Sequence, residues 1–193
     1  MGLKKQAAYL TATHLKNALA RTTEYKYAAR NRLIIQLTVL AGLRAKEVAG
    51  LRWEHILDGS GEVADAIRLT DDISKGKSGG LIPLGDSLKD ALVRARSSNR
   101  DRRAFVITSE RGGGLKTQSI INLLRNHYQR CGIEGASSHS GRRTFITNAA
   151  RKISLVGGSM RDVQALARHS NLTTTQRYIE QNNDAQRAVV NLI

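Results

Sequence analysis

His139-Ser140-Gly141-Arg142-Arg143-Thr144-Phe145-Ile146-Thr147-Asn148-Ala149-Ala150-Arg151-Lys152 is the stretch on which the reading of this chain turns. Phe145, Ile146, Ala149 and Ala150 recur at helical spacing, which predicts a helix over 142–152 with that face inward. His139 and Arg142 are three apart, so they share a face where the helix starts. A helix N-terminus already attracts anions through its unpaired N–H groups and its dipole, and an arginine with a histidine there reinforces a phosphate site. A solvated basic turn explains the pair alone equally well.

Working outward, the next informative stretch is downstream. Arg161-Asp162-Val163-Gln164-Ala165-Leu166-Ala167-Arg168 predicts a helix with Val163, Leu166 and Ala167 inside, ending at His169. A histidine there suits the helix dipole for purely structural reasons. Tyr178 follows nine residues after His169 in Thr173-Thr174-Thr175-Gln176-Arg177-Tyr178. A lone tyrosine is usually a half-buried packing residue. As a nucleophile it needs neighbouring arginines and a base, because its ordinary pKa is near 10. Upstream, Leu33, Ile34, Leu37, Leu40 and Ala41 predict a buried helix that Gly42 ends. Arg44 follows at once, with Glu47 three residues on. Its guanidinium offers two parallel donors to a phosphate and keeps its charge at any relevant pH. An intrahelical Arg–Glu pair explains Arg44 more simply when it is taken alone.

The remaining elements frame these residues. Helices are predicted over 11–20, 45–51, 118–130 and, with Ser87 and Asp90 as a capping box, 87–95. An amphipathic helix closes the chain, with Ala185, Ala188, Val189 and Leu192 on one face. Between turn-rich Asp58-Gly59-Ser60-Gly61 and Lys75-Gly76-Lys77-Ser78-Gly79-Gly80 lie strand candidates at 54–57, 66–70 and 80–84, which predict a small antiparallel sheet. The residues 155–159 read as a loop. The class is mostly α with one small sheet (α+β).

Composition narrows the function. The chain has 193 residues, a length that suits one domain. Lys plus Arg number 31 against 16 acidic residues, a formal charge of +15. That surplus implies a polyanion, with nucleic acid ahead of an anionic membrane surface. Cys131 is the only cysteine, so a disulfide within the chain and a thiolate metal site are both excluded, in keeping with a reducing cytoplasm. No apolar run approaches spanning length, so no membrane role is expected. The histidines are scattered and the carboxylates do not cluster, so no metal and no cofactor are expected. Lys75-Gly76-Lys77-Ser78 fails as a nucleotide-binding loop, because the position five before Gly76 is Asp71 rather than glycine. Lys75 makes better sense at a hairpin tip, reaching DNA to protonate a leaving oxygen or to touch a backbone phosphate.

In this order the residues resemble the tyrosine recombinase (phage integrase) family. Ala41-Gly42-Leu43-Arg44-Ala45-Lys46-Glu47-Val48-Ala49-Gly50-Leu51-Arg52-Trp53 resembles its first arginine box, with Arg44 at the catalytic position. Ser74-Lys75 followed by Ile82-Pro83 resembles the hairpin that carries the catalytic lysine, with Lys77 as the alternative register. His139-Ser140-Gly141-Arg142-Arg143-Thr144 resembles the second box, and Leu166-Ala167-Arg168-His169-Ser170 with Thr174-Thr175-Gln176-Arg177-Tyr178 the third. The resemblance implies catalysis by Arg44, Lys75, His139, Arg142, His169 and Tyr178. Glu47, Lys77, Arg143, Arg168 and Arg177 are expected to support them or touch DNA. It implies metal- and ATP-independent cutting and rejoining of double-stranded DNA through a 3′-phosphotyrosyl bond. The outcome would be integration, excision or inversion, by a homotetramer on DNA that is a monomer or weak oligomer alone. An accessory DNA-bending protein and a cytoplasmic, nucleoid-associated location are further expectations. Gly141 departs from the family's usual leucine, and Arg168 from its frequent glycine. Only about forty residues precede Arg44, so the expectation is a single catalytic domain over 1–193 without the N-terminal core-binding domain. Within it, 1–30 would be an extension with the first helix, and the segment 180–193 would carry the last helix, with 185–193 exchanged between protomers. DNA relaxation of the type IB topoisomerase kind and a DNA-binding regulator without catalysis are the competing readings.

Overall fold

The computed structural model describes residues 6–74, 79–96, 101–178, 187, 190 and 191. The chain divides into two compact units, Met1–Phe145 and Ile146–Ile193.

The first unit is built around one helix. From Leu33 to Val39 every residue is buried, so α2 (Ala28–Leu40) is enclosed on all sides rather than along one stripe. Its polar members are accommodated one by one; Thr38, for instance, donates its hydroxyl to the Ile35 carbonyl at 2.8 Å. Before it comes α1 (Ala12–Ala20), where Thr11 caps by accepting from the His14 N–H while His14 Nδ1 returns the bond. After it come α3 (Ala45–Gly50), then β1 (Ala66–Leu69) and β2 (Gly80–Pro83), paired antiparallel with Ile67 opposite Ile82. Alternation puts Ile67, Leu69 and Ile82 inward and Arg68 and Leu81 outward. Next are α4 (Asp86–Ala95) and α5 (Thr117–Arg130), whose Leu88, Leu92, Ile120, Leu124 and Tyr128 join the core. Helix α6 (Ser140–Lys152) begins in this unit and continues into the second.

The second unit contains the rest of α6, a 3₁₀ turn (Ile153–Val156), α7 (Met160–Ala167) and α8 (Leu172–Gln176). Ser159 and Asp162 close a capping box at the start of α7. At its end the Arg168 N–H returns to Ala165 and the His169 N–H to Gln164, the paired bonds of a Schellman stop.

Three sequence expectations are corrected. Residues 54–57 do not form a strand. The Trp53 and Glu54 N–H groups donate to Ala104 and Arg102, and those of His55 and Ile56 fold back to Arg52 and Trp53, which closes a 3₁₀ turn (Trp53–His55). Helix α4 opens at Asp86 behind Gly85, with no side-chain cap, so the Ser87–Asp90 box does not form. The expected loop at 155–159 begins instead inside the 3₁₀ turn. A helix that the sequence left unread, α8, is announced by Asn171, whose side chain accepts from the Thr173 N–H at 2.8 Å. The predicted C-terminal helix, with Ala185, Ala188, Val189 and Leu192, falls outside the described residues.

Buried His55 caps its own turn by accepting the Arg52 N–H on Nδ1 at 3.0 Å, and burial pushes its pKa down. The unfolded chain therefore binds a proton at this site more readily than the folded one. Stability is expected to fall as the pH drops below about 6.5, the ordinary histidine value, and to level off below the depressed folded value. Urea unfolding at pH 7.5 and 5 checks this, and the difference should shrink in His55→Gln.

Candidate active site

In the first unit Arg44 and Arg142 are held at the place where α2 ends. Gly42 takes φ +63, the left-handed conformation that stops a helix without steric cost. Arg142, from the first turn of α6, donates through Nη1 to the Gly42 carbonyl at 2.6 Å and is 5% exposed. A cation placed on the carbonyl end of α2 is favourable because the last carbonyls lack helical partners and carry the negative end of the dipole. Two residues after Gly42, Arg44 caps α3. Glu47, completely buried, takes the Arg44 backbone N–H on one oxygen at 2.8 Å and Nη1 on the other at 2.7 Å. The simple Arg–Glu pair anticipated from the spacing is thus real. It uses one terminal nitrogen and leaves the Arg44 side chain 21% exposed. Both arginines are fixed by their own anchors to one short segment.

His139 stands just before α6, exposed, with its N–H on Ser137 Oγ at 3.2 Å and its carbonyl accepting the Arg143 N–H. Ser140 Oγ accepts the Ser137 N–H, so this helix start is closed by serines. A strap from the N-terminal segment crosses the same turn. The Leu10 N–H donates to Thr144 Oγ1 at 2.8 Å and Arg143 Nη1 to the Ala7 carbonyl at 2.7 Å. Arg143, expected to serve DNA, is therefore also a structural donor.

Lys75 and Lys77 lie outside the described residues. Their flanks are informative. The chain between β1 and β2 is latched to α3, because Lys46 Nζ donates to the carbonyls of Asp72 and Ser74, each at 3.2 Å. Gly50 leaves room for Ile73, whose Cγ2 would stand 2.7 Å from a Cβ there. The helix that carries Arg44 and the hairpin expected to carry the lysine are joined in one unit.

The second unit holds His169 and Tyr178. Their rings stack, with centroids 5.7 Å apart and planes inclined by 25°. His169 Nδ1 lies 3.0 Å from Oγ1 of fully buried Thr175, and Gln164 Nε2 donates to the His169 carbonyl at 3.0 Å. Tyr178 is half-buried; its N–H donates to Thr175, and Thr147 Oγ1 donates to its carbonyl at 3.3 Å. Arg168, just before His169, sits at φ 51 with its side chain 9% exposed, while Arg177 is exposed at the end of α8. Sequence reasoning passed over Thr175. Nothing in the local pattern marked it, because its partner His169 lies six residues away across the start of α8.

Among the described residues there is no cluster of three His, Cys, Asp or Glu side chains, and no helix long and apolar enough to cross a membrane. A cavity of about 480 Å³ opens between α2 and α4, beside Arg30, Arg32, Gln36 and Arg94, and contains none of the predicted site residues.

The first unit thus presents two anchored arginines, and the second a tyrosine stacked on a histidine. The chain belongs to the phage integrase family, whose model matches residues 8–185. It is 30% identical over 166 residues to the tyrosine recombinase XerD of Corynebacterium glutamicum, covering 83% of this chain and 51% of that one. Against XerD of Mycobacterium tuberculosis the identity is 34% over 157 residues, covering 77% and 47%. The chain thus spans about half the length of the curated relatives it matches. The same fold is found in the Tn1549 transposon integrase, solved with a circular intermediate DNA (TM-score 0.74, 18% identity, 98% of this chain and 67% of that one).

Glu47→Gln keeps the shape but leaves a neutral amide where Arg44 now finds a carboxylate. It is expected to cost about 1–3 kcal/mol of stability, read as a lower urea midpoint.

Proposed function

We propose that this chain is the catalytic part of a site-specific DNA recombinase. The observation that carries the reading is the anchoring of Arg142 on the Gly42 carbonyl, two residues from Arg44. It sets two permanent cations beside one segment in a chain of net charge +15. In the proposed reaction the Tyr178 oxygen attacks the scissile phosphorus, the bond from phosphorus to the 5′-oxygen breaks, and a 3′-phosphotyrosyl bond forms. Lys75 gives the leaving 5′-oxygen its proton. His139 and His169 assist proton transfer and hold the phosphate, and His169 also stacks on the nucleophile's ring. Arg44 and Arg142 stabilise the charge that builds on the phosphate oxygens in the transition state. A 5′-hydroxyl from a second strand then reverses the step. The phosphodiester energy is kept in the tyrosyl bond, so the scheme draws on neither ATP nor a metal.

The partner in this reading is double-stranded DNA, bound by a homotetramer that is a monomer or weak oligomer alone, with an accessory bending protein as an option. Glu47, Lys77, Arg143, Arg168 and Arg177 hold the catalytic groups or contact backbone phosphate. The chain acts as a catalytic domain, in the cytoplasm with the nucleoid.

Nicked suicide DNA, offered in EDTA without ATP, is expected to give a covalent protein–DNA adduct on a denaturing gel. Tyr178→Phe should abolish it while affinity stays within about threefold. Affinity itself should fall steeply with salt, by about 10³–10⁵ between 50 and 200 mM for six to ten phosphate contacts. Salt-sensitive binding with no adduct would favour a regulator, and relaxation of supercoils without strand exchange would favour a topoisomerase.

A further inference from the structure

Two glycines let α2 and α6 touch, and they face opposite ways. Gly42, at the end of α2, lies under the Phe145 ring of α6; a Cβ there would stand 3.0 Å from Cε1 and closer still to Cδ1. Gly141, in the first turn of α6, lies against Thr38 of α2. A Cβ there would stand 2.7 Å from the Thr38 Cβ, 3.2 Å from its backbone carbon and closer still to Oγ1. Gly141 is helical and is absent from the residues with positive φ, so space alone asks for glycine at this position. Thr38 cannot yield. It is fully buried, and its hydroxyl is turned onto the Ile35 carbonyl. Arg142 follows Gly141 directly and reaches the Gly42 carbonyl at 2.6 Å.

We infer that Thr38 and Gly141 form a size-matched pair whose close contact positions Arg142. It is a positioning device for the reaction proposed above, and it rests on that reading. The pair also accounts for the departure at Gly141, where the resembled family usually has leucine. In this chain Thr38 of α2 occupies the space that a side chain at 141 would need. A side chain at 141 must push the first turn of α6 off α2 by several tenths of an ångström or more, and Arg142 goes with it. A displacement of that order is enough to cost a transition-state contact tenfold or more.

The test moves the glycine across the interface in the full chain, comparing Gly141→Ala, Thr38→Gly and the double variant. Gly141→Ala is expected to form adduct on nicked DNA at least tenfold more slowly, with DNA affinity within threefold of the original. The double variant removes the obstructing Cβ and should react within threefold of Thr38→Gly. Independently of chemistry, the Arg142 Nε–H resonance, assigned through Arg142→Lys, should shift in Gly141→Ala and return in the double variant. An undiminished adduct rate in Gly141→Ala overturns the inference. So does a double variant no faster than Gly141→Ala. If Gly141→Ala does not fold, the double variant against Thr38→Gly decides, and a rate tenfold below Thr38→Gly overturns it. If the original chain forms no adduct, the recombinase reading fails separately and the resonance decides. A signal that moves and returns supports the pair, and one unmoved by Gly141→Ala sinks it.

Discussion

The placement of Arg142 in the first unit depends on a buried guanidinium meeting a helix end. Burying a charge is costly unless hydrogen bonds meet it, and the end of a helix has carbonyls that need donors. Arg142 and the Gly42 carbonyl settle both needs at 2.6 Å. The contact exists only because α6 starts in the right place. The serines around His139 hold that start, the Leu10 strap crosses it, and Thr38 supports it from below. Beyond these local serine bonds, the turn depends on distant residues. The partners of this one turn come from residues 7, 10, 38 and 42.

The two arginines are held by different means, and the difference is physical. Arg142 is nearly enclosed and donates to a backbone carbonyl. Arg44 is more open and is braced by a carboxylate that is itself fully buried. Glu47 fixes the backbone and the side chain of Arg44 together, which orients the fork and limits its rotamer freedom. A lysine at either site would keep the charge and lose the planar geometry. In the second unit the same logic acts through packing. His169 is gripped at its carbonyl and at Nδ1, and its ring lies along that of Tyr178.

The sequence was most legible where periodicity and punctuation agree. The Leu33–Ala41 pattern followed by Gly42 gave a helix and its stop, and the apolar faces of α5 and α7 were read nearly to their ends, whereas of the face expected for α6 only Ile146 is buried, beside Thr144 and Thr147. The arginine, histidine and tyrosine candidates stood out because their side chains have few bland uses when they occur in that order. What stayed hidden was whatever depends on distant partners. Residues 54–57 look like a strand, yet their N–H groups are claimed by residues 102–104 and by their own turn. Ser87 looks like a cap, yet the helix starts before it. Thr38 looks like one polar residue in a buried helix, and only the approach of Gly141 gives it a role.

The two departures from the resembled family are opposite trades. At 141 the chain carries no side chain, and Thr38 of the facing helix stands where a Cβ would be. At 168 it keeps a side chain where the backbone favours glycine, since φ 51 crowds a Cβ at a cost of about 1–2 kcal/mol. That strain is tolerable only if the side chain returns something. The Arg168 side chain is 9% exposed, so it is packed rather than waving in solvent. Its backbone still completes the Schellman stop that sets His169 at the end of α7. The same stop could have been made with glycine and no strain. What distinguishes this chain is therefore a packed arginine at the left-handed position directly before His169.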